Sequence, residues 1–275
     1  MANLPIIAVI PNYNMATQLE KLLPTLINQG YQTIYVLDDC STDNSEEIVR
    51  RFKYDGVVFV SNNINIGAGP NRNRIMKYEK YCIAHFLDAD MELIDKNQTI
   101  EDIKDSFKRH PDASVIGFRV LNPNMTQFEW NFGPIRQFKD SLIWHSWNIK
   151  NHSKIELLNL FLTKIFNRQW QNWWTYMHPT DAKIEHQVGV VVECNMAVNL
   201  SDFNEVQGFE NKLRFHEIHA LALKLRSIDK TIWYVPKVEA IKHDGIEVRS
   251  NRKREIRLAT LMLDFKRITG QFKLK

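Results

Sequence analysis

Four short apolar runs, at residues 6–10, 34–37, 57–60 and 83–87, punctuate the first part of the chain, and a helical segment separates each from the next. Each run is continuous rather than alternating, the pattern of a strand covered on both faces. Between the first two, Leu19, Leu22, Leu23, Leu26 and Ile27 recur at helical spacing over 17–28, with Gly30 as the stop and Pro24 as a candidate kink. Ser41 or Thr42 is placed to cap a second helix running to about 52, and a flexible turn at 65–70 leads into a helix over 71–81. Strands alternating with helices predict an α/β fold with a mostly parallel central sheet flanked by helices. Further on, the patterns predict a helix at 98–109, strands at 113–120, 188–192 and 231–235, and helices at 201–206 and 215–226. Ser201 is the expected cap of the first of these late helices, Gly208 its stop, and Pro236 the end of the last strand.

In open sheets of this kind ligands bind beyond the carboxyl ends of the strands. Three of those ends are polar here: Pro11-Asn12-Tyr13-Asn14, Asp38-Asp39 and Asp88-Ala89-Asp90. If extended geometry persists past residue 87, Asp88 and Asp90 point the same way. Two carboxylates held together repel unless a positive charge lies between them or their pKa values separate. A divalent cation bridging to a phosphate is the usual resolution, because hard cations take oxygen ligands. The 85–90 stretch alone is explained equally well by a polar turn. The gathering of three such ends on one rim carries the argument.

The 275 residues, 44% hydrophobic and 25% charged, suit a globular chain of one large domain or two small ones. A net charge of +4 permits an anionic substrate or membrane surface without calling for nucleic acid. Cys40, Cys82 and Cys194 have no metal-type spacing and read as free thiols of a reducing compartment. The first residues lack the basic start of a secretory leader, and no apolar run nears the roughly 20 residues that span a bilayer. Six of the seven tryptophans fall between 128 and 179, in an insertion at about 127–180 that includes a helical pattern over 157–166. It reads as a local core, with a sugar-stacking or lipid-facing platform as the alternative. The basic, amphipathic 249–275 segment reads as a helix packed on the domain, with membrane-surface contact as the alternative.

In order, the chain resembles the family 2 glycosyltransferases of the GT-A fold. The resemblance rests on Pro11-x-Tyr13-Asn14; on Leu37 to Asp43, similar to V-D-D-G-S-T-D with Cys40 in place of Gly; and on Asn65-x-Gly67 followed by Arg72-Asn73. Asp88-Ala89-Asp90 stands as the D-x-D motif and Gln207 to Glu210 as the G-G-F-D-E loop. The resemblance implies a Rossmann-like nucleotide-sugar-binding half at 1–120, an acceptor half at 121–245 and a C-terminal helix at 246–275. It implies a nucleotide-sugar donor, a UDP-sugar in particular, with Mn²⁺ or Mg²⁺ on the diphosphate. Asp39 would accept the uracil imide N–H, Tyr13 lie against the base and Asp88 hold the ribose hydroxyls. Asp90 would bind the metal, and Arg72 would offer paired donors to phosphate or form an ion pair with Asp88 or Asp90. Pro11, Asn14, Gly67 and Ala89 belong to the same donor-binding motifs.

Enzymes of this family invert the anomeric centre, which implies one carboxylate as general base. The family's E-D pair falls on Glu217-Ile218, so Glu217 is the expected base, despite the missing Asp. His243 would complete the metal shell, as an imidazole suits Mn²⁺ better than Mg²⁺, or remain a loop histidine. The acceptor would be a glycan, polysaccharide or lipid-linked sugar, handled in the cytoplasm or peripherally at the inner face of the membrane. Two rivals stand beside this: a nucleotidyltransferase, against which the absence of a Gly-rich basic loop after the first strand speaks, and a degenerate sugar-nucleotide binder, which Ile218 would suit.

Overall fold

The computed structural model describes residues 4–94, 98–128, 131–133, 135, 183–211 and 217–243. Most of the tryptophan-rich insertion, including the helical pattern expected at 157–166, and the whole 246–275 segment lie outside them. The first ninety residues fold as βα units: β1 (Ile6–Asn12), α1 (Ala16–Ile27), β2 (Ile34–Asp38), α2 (Ser45–Arg50), β3 (Val57–Val60), α3 (Ala68–Asn73) and β4 (Ile83–Leu87). After them come β5 (Met91–Leu93), α4 (Thr99–Arg109), β6 (Ala113–Leu121), β7 (Phe132–Gly133), β8 (His186–Val188), β9 (Val190–Val191) and β10 (Asn195–Asn199). The described chain ends with α5 (Leu200–Glu205), α6 (Glu217–Arg226) and β11 (Thr231–Lys242).

Among the described residues the main sheet has the order β3-β2-β1-β4-β10-β6-β11-β5, with β8 paired to β11, and β7 pairs with β9. β1 to β4 run parallel, as their apolar runs predict, and β11 runs parallel to β6. β10 lies antiparallel between β4 and β6. The whole is a mixed α/β fold, mostly parallel and flanked by helices. Side chains alternate across the sheet, so each strand feeds two cores. Ile7, Val9, Phe86 and Met196 pack with α5 and α6 on one face. Ile6, Ala8, Ile10 and Leu87 pack with α1 and α4 on the other.

Several boundaries differ from the sequence patterns. The third helix begins at Ala68, after Gly67 at φ 92°, and gives way to a 3₁₀ turn at Arg74–Lys77. Pro70 therefore sits in a first helical turn, where its missing N–H costs nothing, rather than in a loop. Neither Ser41 nor Thr42 caps α2; Asp43 instead accepts from the Ser45 backbone N–H and hydroxyl. Asn199, not Ser201, caps α5, accepting the Ser201 N–H at 3.0 Å. The strand expected at 188–192 divides into β8 and β9, and the fully buried strand of that region is β10. β11 does not stop at Pro236. It continues to Lys242, absorbing the proline in a register shift between Tyr234 and Glu239, a place where a residue without an N–H is tolerated.

Candidate active site

The carboxyl ends of β1, β2 and β4 open on one side, and the loops leaving them are tied by side chains. At the end of β1, Asn12 donates to Asp38 at 2.7 Å, and Asn14, at φ 53°, accepts the Thr42 N–H at 2.7 Å. Pro11 lies within β1, opposite Leu37, and Tyr13 beyond it is partly exposed. Asp39 is 3% exposed and accepts from the backbone N–H groups of Ile66 and, at 2.8 Å, Gly67. The aspartate expected to read a base thus also latches the loop that carries Gly67.

That loop continues into α3, which delivers Gly69 from its first turn and Arg72 from the turn after it. Gly69 donates its N–H to Glu217 Oε1 at 3.3 Å, across 148 residues of sequence. Arg72, 4% exposed, forms an ion pair with Asp88. Burial disfavours the Arg72 charge, but Asp88, Glu193 and Glu217 around it outweigh burial, and the guanidinium is held charged.

Asp88 and Asp90 do not sit on an extended strand. The chain turns after Leu87, with Met91 N–H bonded to Asp88 O at 3.1 Å. The turn, not strand alternation, brings both carboxylates towards one group, the Lys242 ammonium. Lys242 Nζ lies 2.8 Å from Asp90 Oδ2 and 4.0 Å from Asp88 Oδ2. Burial and Asp88 push the Asp90 carboxyl above the usual range, and Lys242 opposes them. Burial also works against the Lys242 charge, yet the two aspartates hold that ammonium charged. Ala89, between the aspartates, is buried.

His243 is not turned towards Asp90. Its Nε2 meets Glu92 at 2.7 Å, while only its backbone N–H reaches Asp90, at the carbonyl oxygen. Among the described residues no three His, Cys, Asp or Glu side chains gather as a metal cluster. One atom does suit a cation: Asp90 Oδ1 is buried and has no hydrogen-bond partner. A divalent ion at this atom would have one protein ligand in place, and His243 would have to leave Glu92 to join it.

Two functional-looking residues escaped the sequence reading. Lys242 lies past a proline that reads as a strand end. Glu193, just before β10, accepts the Ile218 N–H at 3.2 Å and so holds the first turn of α6 beside Glu217. Burial raises the Glu193 carboxyl, against the pull of Arg72. Nearby, an open cleft of about 670 Å³ is lined by residues including Ile66, Pro70, Lys77 and Gln207; the aspartate pair does not line it.

Comparison with known proteins bears on this arrangement. The model of glycosyl transferase family 2 matches residues 7–170. The chain is 30% identical over 84 residues to a UDP-Glc:alpha-D-GlcNAc-diphosphoundecaprenol beta-1,3-glucosyltransferase, WfaP, of Escherichia coli. That stretch is 30% of this chain and 34% of the relative, about a third of its length. The fold matches S. aureus TarS 1–349 in complex with UDP-GlcNAc, with a TM-score of 0.58 and 14% identity over 94% of this chain and 66% of that one. It also matches the mannosyltransferase PcManGT of Pyrobaculum calidifontis in complex with GDP-Man and Mn²⁺, at 0.60 and 15% over 99% and 66%. At these identities the structural likeness is one of fold.

Proposed function

The chain belongs to glycosyl transferase family 2, and from that premise we propose that it moves a sugar from a nucleoside diphosphate donor, a UDP-sugar, to a hydroxyl of a glycan or lipid-linked acceptor, with inversion. The observation that carries this reading is the chain of contacts across the strand tips. Asp39 holds the Gly67 loop, Gly69 holds Glu217, and Arg72 holds Asp88. A donor bound over these tips would set its ribose hydroxyls against Asp88 and its base against Tyr13 and Asp39. Reading an imide through Asp39 requires it to share lone pairs now given to Ile66 and Gly67.

Glu217 is our general base. It would take the proton of the acceptor hydroxyl as that oxygen bonds to the anomeric carbon, while the bond from that carbon to the diphosphate breaks. A divalent ion bound through Asp90 would supply Lewis-acid stabilisation of the departing diphosphate. Arg72 contributes fixed positive charge without moving, since it is buried and paired. Residues 1–120 form the donor half on this reading and 121–245 the acceptor half. The undecaprenyl diphosphate in the relative's name supports a lipid-linked acceptor and contact with a membrane surface. Among the described residues no helix is long and apolar enough to cross a membrane.

A panel of UDP- and GDP-sugars, with and without Mn²⁺, read first by thermal shift and then by transfer or slow donor hydrolysis, tests this. Glu217→Gln is expected to keep the donor-induced shift while turnover falls roughly 10²- to 10⁴-fold. Wild-type turnover in that variant would remove Glu217 from the chemistry. Absence of any nucleotide-induced shift in the native protein would remove the donor site.

A further inference from the structure

Two carboxylates side by side call for positive charge, and this chain supplies it from its own side chains. Asp88 is paired with Arg72, and Asp90 with Lys242. The four groups balance, two acids against two bases, before any ion arrives. We propose that Lys242 is the resident cation of the diphosphate site: it neutralises Asp90 in the absence of a divalent ion and offers its charge to a nucleoside diphosphate, so that the nucleotide binds without metal. The inference rests on the donor-site reading above and adds to it which residue sets the metal requirement.

Three features separate Lys242 from an ordinary surface lysine. Its backbone is fixed, because β11 pairs with β5 so that Lys242 stands opposite Met91, the residue after Asp90. The next N–H along, that of His243, bonds Asp90 O at 2.9 Å and fastens the two segments at the aspartate itself. The ammonium then reaches both aspartates, at 2.8 and 4.0 Å, and no rearrangement of the strand is needed to keep it there. Meanwhile His243, the neighbouring candidate ligand, is committed to Glu92. A divalent ion entering through the unpartnered Asp90 Oδ1 meets an ammonium already seated on Oδ2. Two cations drawn to one carboxylate oppose each other, so Lys242 lowers the affinity of the site for metal as well as the need for it.

The test is calorimetric titration of UDP and of GDP into the native protein, Lys242→Met and Lys242→Arg, in EDTA and in Mn²⁺, with Mn²⁺ affinity read separately by electron paramagnetic resonance of the free ion. The native protein is expected to bind one nucleotide in EDTA. Lys242→Met is expected to bind it at least about tenfold more weakly in EDTA but within about threefold in Mn²⁺, and to bind Mn²⁺ itself more tightly. Lys242→Arg, which keeps the charge, should bind nucleotide in EDTA as the native protein does and reports on folding. Equal nucleotide affinity of Lys242→Met and native protein in EDTA, or an equal loss with and without Mn²⁺, overturns the role of Lys242 and leaves the donor site standing. Failure of the native protein to bind either nucleotide under both conditions overturns the donor site and this inference together.

Discussion

At Gly69 a side chain would crowd Glu217. A Cβ there would stand 3.0 Å from Glu217 Oε1 and 3.1 Å from its Cγ. Gly69 lies in α3 without a positive φ, so alanine suits its backbone, and the helix stands to gain up to about 1 kcal/mol. The same methyl displaces the Glu217 carboxylate by a few tenths of an ångström. Gly69→Ala is therefore expected to keep or raise Tm while turnover falls roughly tenfold or more, since misplacement of a base is costly. A parallel fall in Tm would mean that the contact serves folding and not placement. At this scale the candidates legible in the sequence are of two kinds: Asp39, Asp88 and Asp90, whose type stands out at strand tips, and Arg72 and Glu217, which lie on helices and are picked out by the family motifs. Lys242 and Glu193 were not legible, because a lysine after a proline and a glutamate before a strand both look like solvated charge. Only the pairing of β11 with β5, and of Glu193 with a helix end far along the chain, gives them partners.

Helix α6 owes its starting position to Glu193, whose carboxylate accepts the Ile218 N–H that the helix itself leaves unbonded. Glu193→Ala removes that acceptor and is expected to cost about 1 kcal/mol, the scale of a lost helix cap. Glu193→Gln keeps an acceptor oxygen and should recover most of it in a urea melt. If alanine and glutamine melt alike, the hydrogen bond contributes nothing and the loss, if any, comes from packing. The βα units of the first ninety residues were readable because a strand buried on both faces is a continuous apolar run. The second half was not, because β10 enters antiparallel between two parallel strands and β11 runs through its own proline. Hydropathy carries no record of which neighbour a strand chooses, and a proline within a bulge looks like a proline at an end.

Across the whole molecule, β4 is the seam where the parallel strands β1 to β4 meet the antiparallel β10, with β1 on one side and β10 on the other. His85 sits at that seam, fully buried. Asn195 donates to Arg119 O and Val238 O at 3.1 and 3.2 Å, so its Oδ1 faces His85 Nε2 at 2.8 Å. Nε2 therefore donates, and Nδ1 accepts from the Tyr31 hydroxyl at 2.6 Å. Burial lowers the His85 pKa from 6.5 to about 4 against the pull of Asn195. The unfolded chain binds this proton and the native one does not, so the stabilisation is complete above about pH 6.5 and declines as pH falls towards 4. The expected decline from this residue is about 2 kcal/mol by pH 5. Urea midpoints of the native protein and His85→Gln at pH 7 and pH 5 measure it, and equal acid sensitivity in the two would assign the loss to other groups. A different linkage runs through Asp39. The Gly67 amide that its carboxylate fastens sits two residues upstream of the Gly69 amide that fastens Glu217. Whatever competes for those lone pairs slackens the tether on the glutamate, so occupancy at one strand tip is mechanically audible at the next.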